Sequence, residues 1–548
     1  MFFSDFSLHK QSKSFNQRSD NLLVKNLFED IEITYSNYLF KEYNFGRRKF
    51  FVFGVMIGNI ETLLENEDYL NCNGNYLIVK VENNKIHLIT NRLNTMHCYF
   101  SSTGIHTYFH NAIPEDKTLD WTGLGSYFTN GFFNNDRTFV NEVKLLLNAH
   151  EYIFDNNLSL ISQNQYWNFN HQIGNRSYSE TVDEFASILN AIKNDYLKLE
   201  GQIAMPISGG LDSRTITGLF SQNEKDSKRL WSYSYGFGTN SSETNIAIKI
   251  ANVRKLNFEK VITSNYLNAK IPLIQKCVEH FQYIDGTRQA EIVDQLKANA
   301  SFVVCAHWGD VWNDTMGDQS EYSIEDFAIK KLKKKGADWF LNNLSELKVS
   351  EAQHELKESL DIEMTSKDFA IKVFKTLQWS QRWTLASTRM YQAGAFPLYP
   401  FYDNRIIDFF CTVPSSFVTE RKLQIDYLKK YHPDLAKIKW QEYDSNLYWY
   451  KILNNRNIIY RIVHKARRVL KSTKQITRNW ELFYLNDEGK ALLQKNVIEN
   501  EALHPIISKE KLEQFYQQFY NEPNAKNGYS MSMLHTFSLF MNKYFSRK

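Results

Sequence analysis

Residues 203–213 read Ile-Ala-Met-Pro-Ile-Ser-Gly-Gly-Leu-Asp-Ser, an apolar run that meets two glycines and leaves as a helix opening at Ser213. Gly209 and Gly210 have no side chain, so the backbone can turn tightly and aim several N–H groups, including that of Leu211, into one concavity. At a helix N-terminus such a concavity favours a phosphate or pyrophosphate. Ser208 and Ser213 add hydroxyl donors, and Asp212 adds a carboxylate able to hold Mg²⁺ against phosphate oxygens. No lysine follows the glycines, which excludes the loop that ends in Gly-Lys-Ser/Thr. A serine and two glycines alone are often only a turn. The full Ser-Gly-Gly-Leu-Asp-Ser, with a strand before and a helix after, favours nucleotide binding.

The totals bound the rest. A chain of 548 residues exceeds one core and suggests two to four domains, and 43% hydrophobic with 23% charged residues describes a globular protein. The net charge of +4 argues against a nucleic-acid partner. Cys72, Cys98, Cys277, Cys305 and Cys411 are scattered without metal-ligand spacing, which points to free thiols in a reducing compartment. The opening residues lack a signal-peptide core and no run reaches membrane-spanning length, so a cytoplasmic protein is expected.

Along the chain, residues 1–170 read as β-rich. Strands are expected at Phe50–Ile57, Tyr76–Val81, Ile86–Thr90 and Met96–Phe100, with a hairpin turn at Glu82–Lys85 and a last strand near Leu158. A helix is expected from Leu119, and another over residues 182–192. Strands and helices then alternate, the pattern of a parallel sheet. Strands fall at 203–207, 230–237, 259–263 and 301–305, and helices after Ser213, at 243–256 and at 266–283. Residues 321–380 read as charged helices, with Lys330–Gly336 as a solvated face. In an open sheet of this kind the ligand lies at the carboxyl ends of the strands.

The Ser-Gly-Gly-Leu-Asp-Ser segment resembles the pyrophosphate loop of the ATP pyrophosphatases, and four further stretches resemble asparagine synthetase within that group. Residues 73–100 and 136–152 resemble its N-terminal glutaminase domain. Cys305-Ala306-His307-Trp308-Gly309-Asp310 stands where that family has its second metal-ligand aspartate, and residues 381–417, with Pro400-Phe401-Tyr402-Asp403, resemble its helix-loop-helix block. The resemblance implies an α/β fold with a doubly wound parallel-sheet ATP pyrophosphatase domain over 171–450. A β-rich glutaminase-like α+β domain over 1–170 precedes it, and a helical, basic extension over 451–548 follows. It implies ATP and Mg as cofactors, Asp212 and Asp310 as metal ligands, and Tyr235 and Ala306 against adenine. The implied reaction is adenylation of a small-molecule carboxylate, then attack by ammonia or an amine to give an amide and AMP.

The departures from that family are specific. Its glutaminase nucleophile is a cysteine exposed as residue 1 after removal of Met. Here Phe2 follows Met1 and no cysteine precedes Cys72, so glutaminase activity is not expected. Val311 replaces an acid, and Glu442 replaces the lysine that stabilises the acyl-adenylate, leaving Lys439 as the nearby catalytic candidate beside Lys437. His307 reads either as a phosphate neighbour or as a loop residue, and Asp285 and Arg288 either as substrate contacts or as a surface pair. Residues 451–480 hold nine Lys or Arg. They read as a packed helix with a basic outer face, or as a site for an anionic substrate, membrane surface or acidic partner. An AMP-forming amide ligase is therefore expected, with a β-lactam-forming or peptide-tailoring synthetase, a non-catalytic scaffold and a tRNA-modifying pyrophosphatase as rivals. A homodimer is left open.

Overall fold

The structure is a computed structural model that describes residues 5–11, 22–220, 229–238, 241–359, 364–452, 458, 476 and 478–546. The chain begins with twelve strands: β1 Phe6–Lys10, β2 Leu22–Asn26, β3 Ile31–Ser36, β4 Phe40–Phe45, β5 Arg48–Ile57, β6 Asn73–Glu82, β7 Lys85–Thr90, β8 Tyr99–Ser101, β9 Gly104–His106, β10 Lys144–Leu145, β11 His150–Phe154 and β12 Leu160–Gln165. They form two antiparallel sheets, ordered β10-β8-β9-β1-β3-β2 and β12-β11-β7-β6-β5-β4.

Side-chain alternation in β5 and β6 explains their continuous apolar runs. Phe51, Phe53, Leu77 and Val79 face a core shared with Phe6, Leu8, Ile31 and Ile33 of the other sheet. Phe50, Val52, Tyr76 and Ile78 face the opposite way, onto Leu64 and Tyr69. Between β6 and β7, Glu82 pairs with Lys85, and Asn83 and Asn84 both take positive φ, as a two-residue hairpin turn requires. The strand expected at Met96–Phe100 shortens to β8, because Met96 and Cys98 are buried as irregular chain. Leu158 lies in a turn at φ 63° before β12 rather than in a strand.

A helix over Tyr178–Lys198, opened by a reciprocal Ser177–Glu180 cap, leads to the second half. There, β13 Ile203–Pro206, β14 Leu230–Gly236, β15 Asn257–Ile262, β16 Phe302–Val304 and β17 Phe396–Leu398 form one parallel sheet ordered β15-β14-β13-β16-β17. The order runs outward from β13 on both sides, so the crevice at the carboxyl ends of β13 and β16 is where connections diverge. The helix expected to reach Tyr283 covers Leu267–Val278 and stops where Glu279 and His280 turn to positive φ. Lysine 334 departs from the solvated-face reading of 330–336: burial pushes its ammonium down to about 8.

Near the C-terminus, helices at Asn479–Tyr484, Asp487–Leu493 and Lys509–Asn521 surround the helix Ala525–Phe545. That last helix is buried on every side from Ser530 to Met541, and its buried Ser530, Ser532, Thr536 and Ser538 hydroxyls donate to nearby carbonyl oxygens. Its Phe537 and Phe540 pack on Phe128 and Phe139, with ring centroids 5.2 and 4.3 Å apart, so a second core joins the first half to the C-terminal helices. The basic stretch read at 451–480, with its apolar stripe at Ile459, Ile462, Val463, Ala466, Val469 and Leu470, lies largely outside the described residues. No described helix is long and apolar enough to cross a membrane.

Candidate functional site

Beyond β13 the chain continues through Ile207, whose N–H still bonds Tyr233 of β14, and the loop then gives way to the helix Leu211–Leu219. Gly210 caps that helix in an extended conformation, φ −81° and ψ 179°. The glycine pair therefore does not serve a left-handed turn. Gly209 is needed for close approach: a Cβ there would lie 2.8 Å from the Cβ of Gln441, whereas one at Gly210 would only touch Ser208 Oγ at 3.3 Å. Inside the loop, Ser208 and Ser213 hydroxyls are 2.8 Å apart. The Ser208 N–H donates to Ser213 Oγ at 3.0 Å, and the Gly210 N–H to Ser208 Oγ at 3.2 Å. An arriving anion would exchange with these hydroxyls for the amides.

Arg214, the residue after Ser213, positions the loop opposite. Burial pushes its pKa down to about 10, and its guanidinium donates to the carbonyls of Ile438 at 2.9 Å and Lys439 at 2.7 Å. The carbonyl of Gly209 then accepts from the Gln441 N–H at 3.2 Å. Lys439 itself is not on the cavity wall. Its ammonium pairs with Asp444, so the structure does not bring this expected residue to the cavity.

A cavity of about 520 Å³ opens at the strand ends. Ser208, Asp212 and Ser213 line it from the loop, Tyr235 from β14, and Ala306, His307 and Asp310 from the turn after β16. Gly209, Gly210 and Leu211 are not on its wall, and the Leu211 side chain is buried in the core. Asp212 and Asp310, 98 positions apart in sequence, thus share one wall. Asp212 Oδ1 accepts from Arg421 and, at 3.0 Å, from Gln424 Nε2. Burial pushes the Asp212 carboxyl up, to about 6; Arg421 opposes that and the charge of Asp310 adds to it. Gly309 makes the pairing sterically feasible, since a Cβ there would lie 2.7 Å from Asp212 Cγ and 2.6 Å from Phe401.

Hard oxygen donors short of positive charge suit Mg²⁺ that arrives with phosphate ligands. Among the described residues no group of three or more His, Cys, Asp or Glu could hold a metal alone. Two carboxylates without a third ligand fit an ion that completes its shell from a nucleotide. His307 also faces the cavity; burial lowers its pKa while Asp310 opposes, and its Nδ1 is buried without a partner. Asp285 and Arg288 are not a pair. Asp285 is buried and accepts from Ser532 at 2.9 Å, while Arg288 lies on the cavity wall with its guanidinium 5.1 Å from the Tyr235 ring centroid.

Among the wall residues that escaped the sequence reading are Arg421, Lys375, Trp379 and Trp383. The last three come from Lys375–Thr384, a π-helical segment. Such segments are rare and recur at functional sites. A lysine set between apolar neighbours, as in Val373-Phe374-Lys375, was the available signal that Lys375 is not on a solvated face.

No family model and no curated protein matches the chain. Among solved structures it aligns with the U34-tRNA thiolase NcsA from Methanococcus maripaludis with its 4Fe-4S cluster. Identity is 13% and the TM-score 0.20, over 58% of this chain and 87% of that one. At that TM-score the superposition carries no functional weight.

Proposed function

We propose that the chain is an ATP-dependent, AMP-forming amide ligase of the asparagine synthetase type, without glutaminase activity of its own. The proposal assigns residues 1–170 as a glutaminase-like part, 171–450 as the pyrophosphatase part and 451–548 as a helical extension. The observation that carries it is the convergence of Ser208, Asp212, Ser213 and Asp310 on one cavity at the carboxyl ends of β13 and β16.

In this reading the loop amides and the Ser208 and Ser213 hydroxyls bind the pyrophosphate that leaves, while Tyr235 and Ala306 border the nucleotide base. Asp212 and Asp310 would hold Mg²⁺, which when bound supplies neutralisation of charge developing between the α- and β-phosphates. Gln424 and Arg421 fix the Asp212 carboxylate in orientation. The nitrogen donor enters as ammonia or an amine. All five cysteines are buried, and burial pushes the thiols of Cys72 and Cys411 up to about 12, an environment that disfavours a thiolate nucleophile at those two positions.

Calorimetric titration with MgATP, followed by ATP–pyrophosphate exchange, tests the proposal. Asp212→Asn and Asp310→Asn should each abolish exchange, with the double variant no worse than either, because members of one unit are not additive. A second reading, a scaffold that keeps the fold without chemistry, is favoured by one observation: the Lys439 ammonium is paired with Asp444. Absence of ATP binding would select that reading and reject the ligase.

A further inference from the structure

The cavity has two unlike ends. One is the oxygen-rich loop end; the other is a wall of Trp308, Lys375, Trp379, Trp383, Thr384 and Tyr391. With i to i+5 bonding, the π-helical segment brings residues four or five apart onto one face, so Lys375, Trp379 and Trp383 point the same way.

Lysine 375 has no carboxylate within ion-pair distance among the described residues. Its ammonium instead lies 5.9 Å from the Trp308 ring centroid and 5.1 Å from that of Trp379. Burial lowers its pKa, and Asp310 opposes this. A half-buried cation that meets ring faces, with the charge of Asp310 beyond ion-pair distance, is incompletely compensated, and an anion placed beside it gains both Coulomb energy and a charge-assisted hydrogen bond.

The indoles past that lysine are braced. Phe132 lies parallel to Trp379 at 6.5 Å, Tyr283 meets Trp383 edge-on at 4.7 Å, and the Lys334 ammonium lies 5.3 and 4.5 Å from the two indole centroids. The Trp308 indole is pinned as well: its N–H donates to Thr376 at 2.9 Å, and its backbone is held at φ 77°, unusual for so bulky a residue. Rings fixed before binding make a stacking surface at low entropic cost. At this end of the cavity three indoles stand beside the few polar groups of Lys375, Thr384 and Tyr391, a lining that favours an apolar body over a second carboxylate.

We infer that the acid activated here has a flat, apolar body, an aryl- or indolyl-type carboxylate, whose carboxylate meets Lys375 and whose body stacks on Trp379 and Trp383. The inference rests on the ligase reading for the chemistry and on the cavity alone for the binding.

The test uses the full chain and isothermal titration with phenylacetate, indole-3-acetate, acetate and aspartate, each with and without MgATP. MgATP is also titrated alone. Phenylacetate or indole-3-acetate should bind at least about tenfold more tightly than acetate or aspartate, one decade being a 1.4 kcal/mol difference. Lys375→Met should lose about tenfold or more in aryl-acid affinity while Lys375→Arg keeps most of it. Trp379→Leu should bring phenylacetate and acetate to similar affinity. Equal binding of acetate or aspartate by the unaltered chain overturns the inference whatever the variants do, as does unchanged affinity in a folded Lys375→Met. Nucleotide binding without aryl preference leaves the ligase reading standing and removes this one; aryl preference without nucleotide binding does the reverse.

Discussion

The crevice at the strand ends and the core built around the C-terminal helix both bury charged groups, and they treat them differently. In the core, Arg389 donates to Glu279, to the Tyr99 hydroxyl at 3.1 Å and to the Thr107 carbonyl at 3.4 Å, with both ionic side chains almost fully enclosed. Burial alone would lower Arg389, but Glu279 and Tyr99 hold it above its ordinary range. In the crevice, Arg421 pairs with a partly exposed Asp212 that also feels Asp310, and Lys375 meets ring faces with Asp310 beyond ion-pair distance. A saturated pair fixes structure, whereas an unsaturated set leaves interaction energy to be collected from a ligand.

The saturated pair should therefore matter most to stability. Arg389→Met removes the ion partner of the buried Glu279 carboxylate, which keeps the His110 N–H at 3.3 Å, and cuts the tie between β8, the turn after β9 and the helix ending at Val278. The expected loss is about 3–5 kcal/mol of unfolding free energy, read as a lower denaturant midpoint. Glu279→Gln should cost less than Arg389→Met, because it retains the hydrogen bonds to Tyr99 and Thr107. If Arg389→Met left the midpoint unchanged, the contrast between the two regions would fail.

The crevice should respond in binding rather than in folding. Gly309→Ala puts a methyl against both the Asp212 carboxylate and the Phe401 ring. Overpacking of this kind costs about 1–3 kcal/mol, and the softer side is the partly exposed carboxylate. MgATP affinity is expected to fall about tenfold, equivalent to 1.4 kcal/mol, with a smaller change in melting temperature. An unaltered titration with MgATP would show that the orientation of Asp212 does not matter there.

How far these features were legible in the sequence depends on how local their signals are. The loop at 203–213 and the alternating strands declare themselves within a dozen residues each, through apolar runs, glycines and helical spacing. Asp310 was placed by the resemblance of Cys305–Asp310 to a family segment that follows a strand, and the structure sets it on the same wall as Asp212. Arg421 and Lys375 carry no such signal. Arg421 reaches Asp212 from 209 positions away in a left-handed backbone conformation, φ 61°, and Lys375 depends on a helical period that apolar spacing does not reveal. Lys439 shows the converse: it lies close in sequence to the expected position, while its side chain pairs with Asp444. Phe2 lies outside the described residues. The strand β17 was missed because Phe396–Leu398 is three residues long and carries a proline. Its place at the edge of the sheet makes that proline tolerable.

Asp285 sharpens the comparison, because it is a core residue compensated like one in the crevice. One carboxylate oxygen accepts from Ser532 at 2.9 Å, and Oδ1 is buried without a partner. Burial pushes the carboxyl up to about 6, against the pull of the Ser532 and Tyr484 hydroxyls. The sign follows directly. A carboxyl whose folded pKa lies above its unfolded value of 3.8 makes the folded state the better proton binder, so its contribution to stability is fully present below about pH 4 and is lost as pH rises to about 6. Two pH units correspond to about 3 kcal/mol as an upper bound, and an effective interior dielectric near 20 reduces the expectation to about 1–2 kcal/mol. Asp285→Asn keeps the shape and the Ser532 bond but cannot ionise. Unfolding free energies of the two proteins should therefore run parallel above pH 7, with the variant the more stable, and converge as pH falls from about 6 toward 4. A difference that does not vary with pH would mean that Asp285 is ionised at no unusual cost, and that the core tolerates an unsaturated charge as readily as the crevice does.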